Sequence, residues 1–285
     1  MIQVAVIILN YNSVADCRKC VGFLQRQEGV KTEILIVDNC SPLAGELQAV
    51  QQLCEEQGCT FLPAMENRGY NAGNNIALRY AAEKGYKYAL IANPDMEFHD
   101  SHYLLRLTEE IVQRDDVAVV ASDIVTPEGI HQNPMKRDGD WRSSFGWITS
   151  FFKKKRSDTY DFIDNYRESH YCSKVSGCCL MVRLDFMQQI DFFDEGVFLY
   201  CEEAILAKQV ERAGLRMFYT TEVQAVHAHI KSEKGDPVAR FKHWKRSRFH
   251  YIDKYSTDSC WGRMISKFSM TAYVLTMTLL LRLKR

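Results

Sequence analysis

Residues 4–12 read VAVIILNYN, an unbroken apolar run that ends in polar side chains. A run of this length, rich in β-branched residues, predicts a strand that is buried on both faces. Similar strand-like runs recur at 4–9, 33–37, 60–63, 88–92 and 117–121, and helix-like stretches near 14–27, 44–57, 71–84 and 101–113 separate them. This alternation predicts an α/β fold with a mostly parallel central sheet flanked by helices.

The second half of the chain follows a different pattern. Residues 127–171 have little periodicity but contain nine aromatic residues and the basic run 153–156. A long irregular segment of this kind is typical of a lid or binding loop, although a surface insertion packed by its own aromatic rings fits equally well. A strand at 175–182, helices near 184–190 and 199–213, and a short strand at 216–219 are predicted to follow. We expect residues 1–230 to form one catalytic domain, with 127–171 as its acceptor loop.

Residues 231–285 are expected to form a basic helical extension, with helices near 237–255 and 261–283. The whole chain balances 36 Lys and Arg against 36 Asp and Glu, but this extension has a formal charge of +9 and residues 1–230 therefore −9. A basic tail indicates an anionic partner, either phosphate or a membrane surface, although a solvated basic helix fits the charge equally well.

The last helix contains the uncharged run 268–281. Such a run extends about 21 Å as a helix, short of the roughly 30 Å of a bilayer core, so it is not expected to span a membrane. A basic-flanked apolar helix is typical of the membrane interface, and we expect an anionic membrane surface as its partner. Docking onto the protein's own core or onto a second copy of the chain is the alternative, and a homodimer stays open.

The composition excludes several classes of protein. With 285 residues, 46% hydrophobic and 25% charged, the chain is not disordered or collagen-like. Its first apolar run lacks a basic region before it, which favours a buried strand over a signal peptide, so the ten cysteines are expected to be reduced in the cytoplasm. The one CxxC, Cys17 to Cys20, favours a pair on a helix face over a zinc site. The sequence has no GxGxxG after the first strand and no GxxxxGK[ST], which argues against a dinucleotide-dependent dehydrogenase and a P-loop NTPase.

Polar side chains follow the predicted strands, at the edge where α/β sheets bind ligands. Asp38 follows the second strand and can accept hydrogen bonds from a base or ribose, although Asp is also a common turn residue. Arg68 and Gly69 precede the third helix, where an arginine and a helix N-terminus both favour a phosphate group. A turn that starts a helix would explain the glycine but not the arginine.

Together these motifs resemble glycosyltransferase family 2, and within it the rhamnosyltransferase-like enzymes of bacterial surface polysaccharide synthesis. The resemblance covers residues 3–255. Its motifs, in the family's order, are ILNYN at 8–12, VDNCS at 37–41, NRGYNAGNN at 67–75, NPD at 93–95, SG at 176–177 with Arg183, FDE at 193–195 and YCEE at 200–203. The resemblance implies a GT-A fold that binds a nucleoside diphosphate sugar and a divalent cation, Mg²⁺ or Mn²⁺.

The resemblance also implies roles for individual residues. Those expected to bind the nucleotide sugar are Asn10, Tyr11, Asn12, Asp38, Arg68, Gly69, Asn74, Asn93 and Asp95. Asp95 is expected to hold the metal as the acid of an Asp-x-Asp motif that reads Asn-Pro-Asp here, with His227 as a further ligand and His229 as a competitor for that role. Glu203 is the expected catalytic base and Glu202 the fallback, because they occupy the family's Glu-Asp-x-Asp motif, which has Ile205 at its last position.

The implied activity is inverting transfer of a sugar to a polysaccharide or lipid-linked acceptor on the inner face of a bacterial membrane. The leading donor is dTDP-rhamnose, and no nucleic acid partner is expected. Because Glu203 replaces an aspartate and Ile205 an acid, a non-catalytic nucleotide-sugar-binding or scaffold subunit is the alternative. A nucleotidyltransferase is a weaker third option, since the Gly-rich loop it would need after the first strand is missing.

Overall fold

The computed structural model describes residues 2–150, 163–228 and 237–283. The basic run 153–156 and His229 lie outside the described residues. The strands are β1 (Gln3–Asn10), β2 (Lys31–Asp38), β3 (Thr60–Pro63), β4 (Tyr88–Ala92), β5 (Met96–Glu97), β6 (Val117–Val125), β7 (His170–Cys172), β8 (Cys179–Arg183) and β9 (Arg216–His227). The helices are α1 (Val14–Leu24), α2 (Glu46–Gln57), α3 (Tyr70–Glu83), α4 (Tyr103–Val112), α5 (Gly146–Ser150), α6 (Leu184–Gln189), α7 (Glu202–Arg212), α8 (Pro237–Lys254) and α9 (Cys260–Leu283), with a 3₁₀ helix at Trp141–Phe145 before α5.

The strands of the described residues form one mixed sheet in the order β3-β2-β1-β4-β8-β6-β9-β5, and β7 pairs with β9. The pairs β1–β2, β1–β4, β2–β3 and β6–β9 are parallel. Strand β8 is antiparallel to both β4 and β6, so β6 and β9 run in the same direction as β1. The mostly parallel sheet is therefore confirmed. The register pairs Asn10 with Asp38, which brings the polar ends of β1 and β2 side by side.

Helices cover both faces of the sheet, because β1 alternates its side chains between two apolar clusters. Val4, Val6 and Ile8 pack with helices α1, α2 and α4, whereas Ala5, Ile7 and Leu9 pack with α3, α6 and α7. Burying one such aliphatic side chain contributes about 1.5–3 kcal/mol. Cys17 and Cys20 lie on the buried face of α1 as free thiols, which confirms the helix-face interpretation of the CxxC.

Several boundaries differ from the prediction: β6 extends to Val125, β8 begins only at Cys179, and two further differences concern α7 and β9. Helix α7 begins at Glu202 and not near 199, because Tyr200 and Cys201 have φ values of +73° and +70°, outside the right-handed helical region. Strand β9 extends to His227, well beyond the predicted end at 219, because its second half pairs with the end of β6 after a register shift. Both features involve contacts that a local pattern does not contain.

A third, smaller apolar cluster joins α8 and α9 to the rest of the molecule. It contains Ile205 of α7, Tyr251 and Ile252 of α8, and Met270 of α9. Ile205, which occupies the place of the family's last acid, is almost fully buried there. This position therefore packs against the C-terminal helices and does not face solvent.

Helix α9 is longer and more exposed than its uncharged run indicated. It has 24 residues, about 36 Å at 1.5 Å per residue, so the length of the whole helix does not exclude a span, and the expectation that it does not span stays a prediction. Among the described residues it is the helix long and apolar enough to cross a membrane by length and composition, with mean hydropathy 1.4 and 22% of its apolar window buried. Its outer face exposes Trp261, Met264, Phe268, Leu275 and Leu279.

Candidate active site

The ends of β1 and β2 form a buried polar corner. Asn10 Nδ2 donates to Asp38 Oδ1 at 2.8 Å and to Glu46 Oε1 at 3.2 Å. Ser41 caps the same carboxylate, with its hydroxyl 2.7 Å from Asp38 Oδ1 and its backbone N–H 3.1 Å from Oδ2. Asn10, Asp38 and Glu46 are all buried. Asp38 therefore holds the turn that follows β2 in shape, which is the structural role the sequence left open beside ligand binding.

Tyr11 and Asn12 are the exposed residues of this corner. The backbone N–H of Asn12 donates to Ser41 Oγ at 3.0 Å, and Asn12 Oδ1 accepts from the backbone N–H of Leu43 at 3.1 Å. Solvent therefore reaches Tyr11 and Asn12, whereas Asp38 lies just beneath them. Sequence reasoning missed Glu46, although an acid in the first turn of a predicted helix was a visible signal.

Side chains of the segment 67–75 form hydrogen bonds with the loop that contains Phe193 and Asp194. Asn71 Nδ2 donates to the backbone carbonyl of Asp194 at 2.7 Å, and Asn75 Nδ2 donates to that of Phe193 at 2.9 Å. Asn74 is buried, and its Nδ2 donates within α3 to the carbonyl of Tyr70 at 3.0 Å. Most polar side chains of this motif therefore form hydrogen bonds within the protein and do not face an open site. The role of Asn74 in donor binding stays a prediction.

Gly69 lies where the same loop comes closest to α3. Its φ is +100°, and a Cβ at this position would lie 2.1 Å from the carbonyl oxygen of Phe198. Only glycine tolerates both conditions. Arg68 is the exposed part of the motif, and its guanidinium lies 2.9 Å from Glu195 Oε2. Arg68 thus stays accessible to a ligand, whereas Gly69 is used for close backbone approach and its donor contact stays a prediction.

Asp95 and His227 meet after β4 and at the end of β9. Asp95 Oδ1 lies 3.3 Å from His227 Nε2, and His227 Nδ1 lies 2.8 Å from Gln132 Oε1. Burial by itself lowers the pKa of His227, but the Asp95 carboxylate and Cys178 outweigh it and raise the pKa to about 10. A carboxylate and an imidazole whose other nitrogen is held by an amide oxygen form a suitable pair of ligands for a divalent cation. Sequence reasoning missed Gln132, which carries no motif.

Within the described residues, no group of three or more His, Cys, Asp and Glu side chains is arranged to hold a metal ion. Asp95 and His227 would therefore supply two protein ligands at most, His227 only once the cation displaces its proton, and a cation there would need oxygen atoms from another source. Asn93 lies beside them as the first residue of the turn, and its backbone N–H donates to the carbonyl of Cys178 at 2.8 Å.

Glu202 and Glu203 open helix α7 and line a cavity of about 1100 Å³. Glu203 Oε1 accepts from the backbone N–H of Gly177 at 3.4 Å. Burial, and then the charge of Glu203, raises the pKa of Glu202 to about 8. Burial also raises the pKa of Glu203, although the Gly177 N–H and the Lys174 ammonium partly oppose it. A carboxylate pair with raised pKa values in a cavity is suited to accept a proton.

Residues 176–178 connect the two halves of the site. Cys178 accepts from the turn that carries Asp95, Gly177 donates to Glu203, and the backbone N–H of Ser176 donates to Asn133 Oδ1 at 2.7 Å. Arg183 of the same motif lies elsewhere, where it donates to the carbonyls of Ile111, Arg114 and Val117. The SG motif therefore links the sites of Asp95 and Glu203, whereas Arg183 ties β8 to α4.

Asp194 anchors the loop before Glu202 to the C-terminal helices. Its Oδ2 accepts from His250 Nε2 at 2.8 Å, Lys254 Nζ at 2.9 Å and the Tyr255 hydroxyl at 2.5 Å. Although burial opposes them, these donors hold the pKa of Asp194 well below its usual range. Ser247 also belongs to this contact, since its hydroxyl donates to the carbonyl of Leu199 at 2.7 Å.

Helix α8 belongs to the basic extension for which the sequence indicates an anionic partner. Some of its polar side chains instead form contacts within the protein. Arg248 Nη1 lies 3.1 Å from Asp138 Oδ1, and the same carboxylate takes Lys174 Nζ at 2.7 Å. Lys242 and Arg246 are exposed on the same helix. The exposed residues keep the predicted phosphate role open, whereas Arg248 pairs within the cavity wall.

The sheet order and the polar edge along β1, β2 and β4 are those of the GT-A class of glycosyltransferases. The particular family follows from comparison with known sequences: the glycosyl transferase family 2 model matches residues 5–189, and the chain belongs to that family. The fold class and the family implied by the motifs are thereby confirmed.

Relatives and a solved structure place the chain more closely. It is 26% identical over 227 residues to the low-salt glycan biosynthesis hexosyltransferase Agl10 of Haloferax volcanii, covering 79% of this chain and 67% of that protein. It is 21% identical over 272 residues to the N-acetylglucosaminyl-diphospho-decaprenol L-rhamnosyltransferase of Mycobacterium tuberculosis, covering 88% and 84%. The mannosyltransferase PcManGT of Pyrobaculum calidifontis, solved with GDP-Man and Mn²⁺, has the same fold, with TM-score 0.59, 17% identity and coverage of 95% and 69%.

Proposed function

We propose that this protein is a metal-dependent inverting glycosyltransferase that moves a hexose from a nucleoside diphosphate sugar to a lipid-linked or polysaccharide acceptor. The observation that carries the proposal is the strip 176–178, which hydrogen-bonds to the Asp95 turn on one side and to Glu203 on the other. A transferase that works by a single displacement needs a leaving-group site and a base held in fixed relation.

Glu203 acts as the base in this mechanism. It takes the proton of the acceptor hydroxyl as that oxygen bonds to the anomeric carbon, while the bond from this carbon to the diphosphate breaks and inverts the configuration. Glu203 lines a cavity and accepts a hydrogen bond from the backbone N–H of Gly177, and both observations support this role. Glu202, the neighbouring acid, is the alternative base.

Asp95 and His227 would hold Mg²⁺ or Mn²⁺, and the diphosphate oxygens would complete its coordination. The cation would neutralise charge on the leaving diphosphate. The 3.3 Å contact of the two residues and the Mn²⁺ in the structure of the related mannosyltransferase support this assignment. Arg68 would contact the diphosphate, and the corner of Tyr11, Asn12 and Asp38 the nucleoside.

Rhamnose from dTDP-rhamnose is the preferred donor, and a lipid-linked acceptor at the inner membrane face the preferred acceptor. The name of the mycobacterial relative supports both a rhamnosyl group and a lipid diphosphate acceptor. The segment 127–171 would contribute to acceptor binding, since Asp138, Ser143 and Trp147 line the cavity of Glu203. The outer face of α9 would place the enzyme at an anionic membrane surface.

The first test is thermal stabilisation of the protein by dTDP, UDP and GDP and their sugars, with and without Mn²⁺. Ligand binding to the folded state raises the melting temperature by mass action. A metal-dependent shift with one nucleotide identifies the donor class, and transfer assays with Glu203→Gln then test the base. Binding of a sugar nucleotide without transfer to any acceptor of a broad panel would favour the scaffold alternative.

A further inference from the structure

Three aromatic rings line the same cavity as Glu203. They are Trp147 of α5, Trp244 of α8 and Tyr273 of α9. The centroid of Tyr273 lies 5.6 Å from that of Trp147 and 5.7 Å from that of Trp244. Three helices that are distant in sequence therefore contribute one continuous aromatic wall.

The wall is held in place by hydrogen bonds at its edge. Trp147 Nε1 donates to Ser269 Oγ at 3.0 Å, and the Ser269 hydroxyl donates to the carbonyl of Ser144 at 2.9 Å. Ser269 is buried, so these bonds are shielded from water. Because the rings are ordered before a ligand arrives, binding on them costs little additional conformational entropy.

The charges around the cavity do not select an anion. Asp138 pairs with both Lys174 and Arg248. The lining as a whole is nearly balanced, with the basic residues Arg137, Lys174, Lys208 and Arg248 and the acidic residues Asp138, Asp140, Glu202, Glu203 and Asp258. A neutral ligand with an apolar face and several hydroxyl groups fits such a lining better. The polarised C–H groups on one face of a pyranose ring are attracted to the electron-rich face of an aromatic ring, while its hydroxyls bond to polar neighbours.

The donor cannot use this wall as its main site. Tyr11, Asn12, Asp38 and Arg68, the donor-side candidates, do not belong to the lining of this cavity, and neither do Asp95 and His227. The candidate bases Glu203 and Glu202, in contrast, line the same cavity as the three rings. A ring on the wall is therefore on the side of the nucleophile.

We propose that Trp147, Trp244 and Tyr273 form a stacking subsite for a pyranose ring of the acceptor, next to the base. The proposal rests on the proposed function, because the cavity is assigned to the acceptor through Glu203. It specifies the acceptor end as a neutral sugar ring whose apolar face lies on the aromatic wall.

The test measures sugar binding without the donor. Methyl glycosides of glucose, galactose and N-acetylglucosamine, which have no alkyl chain that could bind the apolar outer face of α9, are titrated into the full-length protein while tryptophan fluorescence is recorded. We expect saturable quenching by at least one glycoside, and about a tenfold weaker dissociation constant for Trp147→Ala and for Trp244→Ala, since one aromatic contact contributes roughly 0.5–1.5 kcal/mol. Trp261→Ala is the matched control, because Trp261 is 73% exposed on the outer face of α9 and should leave binding unchanged.

Trp147→Phe keeps a ring without the indole N–H, and it separates stacking from folding. It should retain most of the affinity that Trp147→Ala loses, and melting curves verify that each variant is folded. Equal affinities of wild type, Trp147→Ala and Trp244→Ala, or no saturable binding of any glycoside by wild type, would overturn the subsite. A failure of the proposed function appears separately, as absence of the nucleotide-dependent thermal shift and of transfer.

Discussion

The hydroxyl of Tyr255 donates a 2.5 Å hydrogen bond to Asp194 Oδ2, which joins the end of α8 to the loop before Glu202 and Glu203. The Asp194 side chain is only 5% exposed, and His250 and Lys254 share the same oxygen. The other side of this loop is held by Asn71 of α3. The position of Glu203 thus depends on both the sheet side and the C-terminal helices.

Replacing Asp194 by alanine should destabilise the fold by about 1–3 kcal/mol, because it leaves the buried Tyr255 hydroxyl and the partly buried His250 without their acceptor. The same change should lower kcat and leave the KM for the donor nearly unchanged, since the loop leads into helix α7, which carries Glu203. Thermal melts and steady-state kinetics measure the two effects. Asp253→Ala removes an exposed ion pair with Lys267 and is the control, with a change below about 1 kcal/mol. Equal melting temperatures of the two variants would refute the anchoring role.

The activity should rise with pH across neutrality. Glu202 has a pKa raised to about 8 and that of Glu203 is also raised, so the pair becomes fully ionised only above neutral pH. Since these folded-state values exceed the usual 4.5, the stabilisation linked to the protonated pair is present below that value and is lost as pH rises through about 8. Profiles of kcat and melting temperature between pH 5 and 9 test whether activity rises and whether stability falls as the pH increases.

Glu202→Gln should move this ascending limb to lower pH, because the neighbouring negative charge is gone and one group titrates alone. Glu203→Gln should reduce turnover by about 10²–10⁴-fold above neutral pH, the range expected for loss of a general base, and by less at low pH, where the wild-type base is itself protonated. Unchanged turnover in Glu203→Gln, together with a large loss in Glu202→Gln, would assign the base to Glu202.

Substituting Gly69 by alanine should cost about 2–4 kcal/mol, because a methyl group would collide with the Phe198 carbonyl in addition to the cost of a positive φ. Gly58→Ala is the matched control: its φ is +66°, but a Cβ there meets no atom within 4 Å, so about 1 kcal/mol is expected. Urea unfolding compares the free energies of unfolding of the two variants, provided that both have the same m-value. A similar loss in both variants would show that the contact with Phe198 does not matter.

Gln132→Leu should weaken Mn²⁺ binding by about tenfold, as expected for removing a group that orients a metal-binding histidine. Gln224→Leu serves as the control, since its amide binds Asp123 in the same part of the sheet and does not contact His227. Free Mn²⁺ measured by electron paramagnetic resonance in the presence of nucleotide gives the affinity directly. Asp95→Ala should abolish the metal-dependent part of the nucleotide thermal shift. Identical Mn²⁺ affinities of Gln132→Leu and Gln224→Leu would contradict this role.

Phe268→Glu should reduce binding to anionic phosphatidylglycerol vesicles strongly, because Phe268 is 74% exposed in the middle of the outer face of α9. Met65→Glu introduces the same charge at a side chain that is 94% exposed elsewhere, and should have no effect. Flotation assays at low and high salt measure the binding. Equal flotation of both variants and wild type would reject α9 as a membrane surface, whereas resistance of wild type to carbonate extraction would indicate a span.

Much of the fold could be predicted because its signal is local. The buried runs at β1, β2 and β4 and the helices between them follow from apolar periodicity, which each segment carries by itself. The direction of β8 was not predictable in this way, since a short apolar strand pairs equally well in either direction until its neighbours are known. The start of α7 likewise depends on the positive φ values of Tyr200 and Cys201. Neither tyrosine nor cysteine is a residue type from which a positive φ would be predicted.

The motif at 67–75 shows the same limit within the site. Among its asparagines the sequence predicts a ligand contact for Asn74, and it gives no role to Asn71 and Asn75, which bind backbone carbonyls that lie 123 and 118 residues further along the chain. An amide side chain forms the same hydrogen bonds with a ligand as with a backbone carbonyl. The residue type asparagine therefore does not show which of the two partners it has.

The sequence by itself determined the α/β class, the family and the positions where acids, amides and histidine follow the strands, because these depend on residue type and spacing. Only the tertiary structure decided that Gln132 holds His227, that Ile205 is a packing residue, and that Trp147, Trp244 and Tyr273 share a cavity with Glu203. The reason is physical: hydrogen-bond partners and the exclusion of water are properties of a position in the folded molecule, created by every element packed around it.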